Sequence, residues 1–150
     1  MQRLSVATPL GPVTLSDAGG AITALDWGGQ ERGRSPVLER AAAQLAAYFA
    51  DPRAGFDLPL RPAGSAFQRA VWAAMQAIPV GETRSYGQIA AELGAPAQAV
   101  GQACGANPIP ILIPCHRVLA ATGLGGYSGA GGIETKIALL RHEGAAGLLI

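Results

Sequence analysis

The residues best suited to chemistry lie in the run "IPCHRV", where Cys115 and His116 are neighbours. A free cysteine has a pKa of about 8.5, so it becomes a good nucleophile only beside a base or a positive charge. His116 is the nearest candidate base, and Glu143 is the acid that can fold back to orient it. Successive side chains on an extended strand point to opposite sides, so Cys115 and His116 need a bridging water or a turn to cooperate. Three interpretations of Cys115 stay open here: nucleophile, metal ligand or small buried residue.

Composition excludes several classes of function. The soft metal ligands are two cysteines, Cys104 and Cys115, and two histidines, and they form no C-x-x-C or H-x-x-x-H spacing, so we expect neither a metal nor another cofactor. No apolar run has the length of a signal or membrane segment, which predicts a soluble, cytoplasmic protein. The net charge is only +1, so a role on DNA, nucleoid-associated if the source is bacterial, must rest on a motif and not on a basic surface.

The first part of the chain reads as strands followed by a helix. The segments "RLSVATPL", "PVTLSDA" and "AITALDW" are short strands separated by turn-forming Gly-Pro and Gly-Gly pairs. The segment "SPVLERAAAQLAAYFAD" is a helix with Ser35 as N-cap and Pro36 at its first position. Its predicted apolar face is Val37, Leu38, Leu45, Tyr48 and Phe49. A Pro- and Gly-rich linker follows, and we place a domain boundary there, giving domains 1–63 and 64–150.

The second part reads as mostly helical. The segment "SAFQRAVWAAMQAI" is a helix with Phe67, Val71, Trp72 and Met75 inward, and "SYGQIAAEL" is a helix with Ser85 as N-cap. With "APAQAVGQACG" it suggests a helix-turn-helix. The helix in "APAQAVGQACG" carries almost no bulk or charge, so it either packs closely against a neighbour or fits a narrow minor groove. A stiff, proline-interrupted apolar run, a glycine-rich loop and a last helix, "IETKIALLRHEG", complete the chain.

Several blocks in order carry a resemblance to a known family. The runs "SAFQRAVW", "IPVGETRSYGQIAAELG", "GANPIPILIPCHRV" and "IALLRHEG" closely resemble the methylated-DNA–protein-cysteine methyltransferases, also called O6-alkylguanine-DNA alkyltransferases. The resemblance implies an α+β fold, with a small ribonuclease-H-like α/β domain and a mostly helical domain that carries a helix-turn-helix. It also implies DNA repair by single-turnover transfer of an alkyl group from O6-alkylguanine, and from O4-alkylthymine, to cysteine after base flipping.

The resemblance further implies roles for individual residues. Cys115 matches the alkyl acceptor, His116 its base acting through water, and Glu143 the acid that orients the histidine. Asn107 matches the residue that ties the helix-turn-helix to the active-site loop, and Tyr86 matches the proton donor to the leaving guanine.

A second group of residues is expected on the DNA side of the site. The Val118 carbonyl and the Ser128 backbone match groups that read the base edge, Tyr127 matches a pocket wall, and Arg117 a structural arginine of the same motif. Gln98, followed by Ala99, stands on the minor-groove helix where the family usually has an arginine. The glycine-rich loop also departs in length, one residue short before Tyr127 and about two residues long after Ser128.

The expected partner is therefore double-stranded DNA that contains O6-alkylguanine, bound by a monomer. Two other functions compete with this one. A non-catalytic, alkyltransferase-like lesion-binding protein would lack the cysteine, and this chain has it. A cysteine hydrolase using Cys115 and His116 would need an oxyanion hole, of which the sequence carries no trace.

Overall fold

The computed structural model describes residues 1–121, 123–125 and 132–145. It divides into two compact units, the first comprising Met1–Ala63 and the second beginning at Gly64. Both helices and small sheets are present, so the prediction of a mixed α and β protein is confirmed. In the described residues, no helix combines the length and apolar character needed to cross a membrane.

The first unit is an antiparallel sheet covered by one helix. Strands β1 (Arg3–Val6), β2 (Val13–Ala18) and β3 (Ala21–Trp27) pair in that order, and α1 (Pro36–Ala50) packs on them. Ser35 caps α1 as predicted, because its side chain accepts the Leu38 N–H. β1 ends earlier than predicted: the chain turns at residues 8–11, where the Gly11 N–H bonds to the Thr8 carbonyl at 3.0 Å.

In its described residues, the second unit has four α-helices and a two-stranded parallel pair. Its helices are α2 (Ala66–Gln76), α3 (Tyr86–Leu93), α4 (Ala97–Gly105) and α5 (Ile133–His142). The strands β4 (Arg84–Ser85) and β5 (Val118–Leu119) hydrogen-bond to each other, with Arg84 opposite Val118. This pair was not predicted, and it fixes the start of α3 beside the segment that follows Cys115.

Helices α3 and α4 form a tight pair. Ser85 caps α3 as predicted, and Gly94 ends it in the left-handed conformation, with φ of 65°, which suits glycine. The inner face of α4, formed by Val100, Ala103 and Cys104, is buried, and the Trp72 indole of α2 donates to the Ala103 carbonyl at 2.8 Å. Small side chains on α4 therefore do serve close packing on the inner face.

Candidate active site

The segment before Cys115 is held by Asn107. The Asn107 side-chain amide donates to the Ile113 carbonyl at 2.8 Å, and its oxygen accepts the Ile109 N–H at 3.0 Å. One side chain thus bridges both ends of a loop that prolines prevent from forming a regular strand. The predicted apolar run is buried, since Ile109, Ile111, Leu112 and Ile113 are each at most 4% exposed.

Ile111 has an unusual backbone within this loop. Its φ is +71°, and the Leu112 N–H bonds to the Pro110 carbonyl at 2.9 Å, which closes a γ-turn around Ile111. A left-handed β-branched residue costs on the order of 1–3 kcal/mol and persists only where its surroundings impose it. Here the Asn107 bridge and the burial of Ile111 impose it, so the path into Cys115 is set by the fold.

Cys115 opens a turn and does not lie on an extended strand. It begins a 3₁₀ helix, Cys115–Arg117, and its N–H bonds to the Ile113 carbonyl at 2.8 Å. Because Cys115 lies in a turn, the opposite orientation of neighbouring side chains that an extended strand would impose does not apply to Cys115 and His116. Cys115 is buried, with 7% of its surface exposed. Burial raises the pKa of Cys115, while a hydrogen bond from Asn107 and the charge of Lys136 oppose that rise. The resting side chain is therefore a protonated, sheltered thiol.

His116 lies in a buried relay with Glu143 and Arg117. Its Nε2 is 2.7 Å from Glu143 Oε2, and both side chains are fully buried. Arg117 donates two hydrogen bonds to the same carboxylate, from Nε to Oε1 at 2.8 Å and from Nη2 to Oε2 at 2.9 Å. Its third nitrogen, Nη1, donates to the Ile78 carbonyl at 2.6 Å. The structure thus places Arg117 behind the histidine relay, with its side chain only 11% exposed.

The relay fixes the tautomer of His116. Because a carboxylate only accepts hydrogen bonds, Nε2 carries the proton that is shared with Glu143, and Nδ1 carries the lone pair. In the described part of the chain, Nδ1 is buried without a hydrogen-bond partner. Burial lowers the pKa of His116, with the Glu143 contacts opposing that effect. A neutral imidazole with a free Nδ1 lone pair can accept a proton and so act as a general base.

Tyr86 stands at the start of α3, next to the β4–β5 pair. Burial, and then the nearby thiols Cys104 and Cys115, raise its pKa, so the phenol keeps its proton. Gly125 approaches this ring closely: a Cβ added there would lie 3.1 Å from Tyr86 Cε2 and 3.3 Å from its hydroxyl oxygen. Tyr86 and Gly125 therefore face each other closely.

The remaining predicted residues fall into three places. Gln98 is exposed in the first turn of α4, with Ala99 half-buried beside it. Val118 is fully buried at the start of β5, and its carbonyl accepts a bond from Lys136 at 2.7 Å. Tyr127 and Ser128 lie outside the described residues.

Comparison with known proteins identifies the family. The model of the 6-O-methylguanine DNA methyltransferase DNA-binding domain matches residues 66–145. This chain belongs to that methyltransferase family. The methylated-DNA–protein-cysteine methyltransferase of Mycolicibacterium paratuberculosis is 47% identical over 150 residues, which cover 93% of this chain and 90% of the relative.

Solved structures of the methyltransferase family agree with this fold. The crystal structure of Mycobacterium tuberculosis OGT in complex with DNA has a TM-score of 0.86 and 45% identity to this chain, covering 96% of it and 93% of that chain. An O6-methylguanine DNA methyltransferase from Methanococcus jannaschii is more distant, with a TM-score of 0.65 and 26% identity over 93% of this chain and 92% of that chain.

Sequence reasoning missed Lys136 in this member of the methyltransferase family. The residue lies on α5 with no exposed surface, and the buried Leu139 and Leu140 follow it three and four positions later. That spacing puts a lysine in the apolar stripe of an amphipathic helix. Lysine is almost never fully buried unless it is paired. A lysine in the apolar stripe of a helix is therefore the sequence signal that could have identified Lys136.

Proposed function

We propose that this protein repairs DNA by moving the alkyl group of O6-alkylguanine onto Cys115, once and irreversibly. The observation that carries the proposal is the pairing of a sheltered thiol with an adjacent, neutral histidine whose Nδ1 lone pair is unused. A thiol kept protonated at rest stays unreactive until a base and a substrate are both in place.

The chemical step follows from these groups. His116 Nδ1 takes the Cys115 proton through a water, and Glu143 stabilises the imidazolium that results. The thiolate then attacks the alkyl carbon in line, the carbon–O6 bond breaks, and its electron pair goes to the guanine. Tyr86 delivers a proton to the leaving base and is reprotonated from solvent, while His116 returns the cysteine proton to solvent, so both residues regain their resting state and a thioether remains on Cys115. A thioether has no good leaving group, so each molecule acts once.

The target atom lies within the base stack of a duplex, so the nucleotide must be flipped out. We propose that the outer face of α4 enters the minor groove and places Gln98 at the gap that the flipped base leaves in the duplex. The Val118 carbonyl, which still has a second lone pair, is proposed to accept a hydrogen bond from the edge of the flipped base. Arg117 is already committed to Glu143 and Ile78, so we assign it to the relay and not to the base.

Three finer assignments accompany this function. The first unit is proposed to be a reduced ribonuclease-H-like domain, because Leu60 adds a parallel bridge to Ile22 beside the three antiparallel strands. The protein is proposed to bind DNA as a monomer. Its proposed location is the cytoplasm, where it would associate with the nucleoid in a bacterium.

The decisive experiment is intact mass spectrometry after incubation with duplex DNA that contains O6-methylguanine. We expect a gain of one methylene on the peptide containing Cys115, and no gain with Cys115→Ser or with unmethylated DNA. Lesion-specific binding without any mass gain would favour the non-catalytic lesion-binding alternative. A gain that persists in Cys115→Ser would refute Cys115 as the acceptor.

A further inference from the structure

The outer face of α4 carries two carboxamides and little else. Gln98, Gly101, Gln102 and Gly105 follow one another at helical spacing, on the side opposite the buried inner face of this helix. Both glutamines are exposed, and within the described residues neither carboxamide has a hydrogen-bond partner. The helix has no charged residue. The polar side chains that this face offers to a partner are therefore two amides, one helical turn apart.

The two glycines of this face are not required by the fold. A Cβ added at Gly101 or Gly105 would meet no atom of the described residues within 4 Å, and neither glycine has a positive φ. Glycine weakens a helix relative to alanine, because its backbone loses more freedom on folding. Helix stability is thus given up where internal packing requires no small residue. A bare surface of this kind leaves clearance for a partner that approaches the backbone of α4 closely.

A carboxamide can distinguish base pairs in the minor groove. A·T and T·A pairs present only acceptors there, whereas a G·C pair adds the N2 amino donor of guanine. The oxygen of a carboxamide accepts and its NH₂ group donates, so the group can bond both the N2 amino group and the N3 acceptor of one guanine. Beside an A·T pair, the oxygen has no donor to meet. A glutamine at this surface therefore favours G·C, whereas lysine or arginine, which only donate, would lack that preference.

Gln102 stands one helical turn beyond Gln98, on the same side of α4. Four residues of α-helix span about 6 Å, since each residue rises about 1.5 Å. Stacked bases along one strand are about 3.4 Å apart. If Gln98 occupies the gap of the flipped base, as proposed above, Gln102 therefore faces a base pair one or two steps from the lesion.

We propose that Gln102 is a specificity-determining residue, which reads that neighbouring base pair and favours G·C over A·T there. This rests on the proposed function, because it requires α4 to lie in the minor groove. The guanine N2 amino group donates to the Gln102 side-chain oxygen, and Gln102 Nε2 donates to guanine N3. Repair is then faster where a G·C pair lies at this position, on one side of the lesion only.

The test removes one group from the minor groove. Duplexes carry O6-methylguanine with a G·C pair at one of the two positions on either side, and each is compared with a twin in which inosine replaces that guanine. Inosine lacks the N2 amino group and leaves the major-groove edge unchanged. The measured quantity is the second-order rate constant of methyl transfer. Because inosine also weakens the base pair, the effect of inosine on the wild type is divided by its effect on each variant.

The variants are Gln102→Ala and Gln102→Met, of which the second keeps the length of the side chain and loses the amide. The matched control is Gln76→Ala, because Gln76 is an exposed glutamine at the end of α2. At one position, we expect inosine to slow the wild type about threefold to tenfold more than either Gln102 variant, which is the contribution of one neutral hydrogen bond. Gln76→Ala should respond to inosine as the wild type does.

An equal effect of inosine on the wild type and on folded Gln102→Ala, at all four positions, would overturn the proposal. If Gln102→Ala does not fold, as thermal melting will show, Gln102→Met decides in the same way. The proposed function fails separately: wild-type protein that transfers no methyl group from any of these duplexes would refute the repair activity. Transfer that is indifferent to the neighbouring base pairs would refute only the role of Gln102.

Discussion

Replacing Glu143 by glutamine should reverse the tautomer of His116 and thereby disable it as a base. The carboxylate accepts three charge-assisted hydrogen bonds, at 2.7 Å from His116 and at 2.8 and 2.9 Å from Arg117. Glutamine has the same shape but presents one acceptor and one donor. If its oxygen turns to Arg117, its amide must donate to His116 Nε2, which moves the ring proton to Nδ1 and removes the lone pair that the mechanism requires.

The expected loss of stability in Glu143→Gln follows from the number and kind of hydrogen bonds that change. With glutamine the bond from Arg117 Nε is kept, the bond to His116 becomes neutral, and the bond from Arg117 Nη2 is lost because it meets an amide donor. Since a hydrogen bond to a charged group contributes about 1.5–3 kcal/mol and a neutral one about 0.5–1.5 kcal/mol, the cost is about 3 kcal/mol. For a chain of this size, that corresponds to a fall in melting temperature of roughly 10 °C. Loss of a general base lowers the rate by a factor of about 10² to 10⁴.

The assay is single-turnover transfer of a labelled methyl group from O6-methylguanine DNA, with thermal melting and nitrogen-15 spectra of labelled histidine. Glu134→Gln is the matched control, because Glu134 is an exposed carboxylate on the same helix and should leave rate and tautomer unchanged. If folded Glu143→Gln has the Nδ1–H tautomer and still transfers the methyl group within threefold of the wild-type rate, the Nδ1 lone pair of His116 is not what activates Cys115.

Three further predictions follow from single features. Gln98→Arg should tighten binding to lesion DNA or speed transfer, because the exposed first turn of α4 gains a longer, charged side chain; equal affinity and rate would mean that another residue fills the gap. Gly125→Ala should slow transfer of bulky alkyl groups more than methyl, since its Cβ would lie 3.1 Å from Tyr86 Cε2; equal slowing of both would contradict a pocket-wall role. His116 has a lowered pKa when folded, so the unfolded chain binds its proton more readily. Its contribution to stability is therefore complete above about pH 6.5 and is lost as the pH falls below that value; urea unfolding from pH 7.5 to 5.5 should show this fall, and His116→Gln should flatten it.

The helices could be predicted because their end signals are local. Ser35 and Ser85 each precede an apolar repeat, and in the structure each accepts an N–H of the first turn. Gly94 likewise ends α3 because glycine adopts the left-handed conformation without strain. The buried apolar run before Cys115 was also predictable, because three prolines and four large aliphatic residues leave few other ways to arrange it.

Contacts between distant segments could not be predicted in the same way. The β4–β5 pair consists of strands two residues long, which are too short to show any alternation, yet it sets Tyr86 beside the Cys115 turn. Two aromatic residues expected in the core, Phe49 and Phe67, are only half-buried. Helical spacing predicts which side of the helix a residue lies on, but not how completely the neighbouring elements cover it. Ile111 in a γ-turn is a further case, since nothing in its residue type favours a positive φ.

The arrangement of charges explains how a buried cysteine can ionise at all. Moving the Cys115 proton to His116 creates an anion and a cation inside the protein, and in a low-dielectric interior each would be costly alone. The cation forms against Glu143, which is already in place at 2.7 Å, and hydrogen bonds from Arg117 hold that carboxylate in its orientation. The charge of Lys136, which the Val118 and Leu124 carbonyls hold in position, lowers the pKa of Cys115 against the larger effect of burial. Each new charge therefore meets a partner that is fixed before the reaction starts, so little reorganisation is needed when the flipped base arrives.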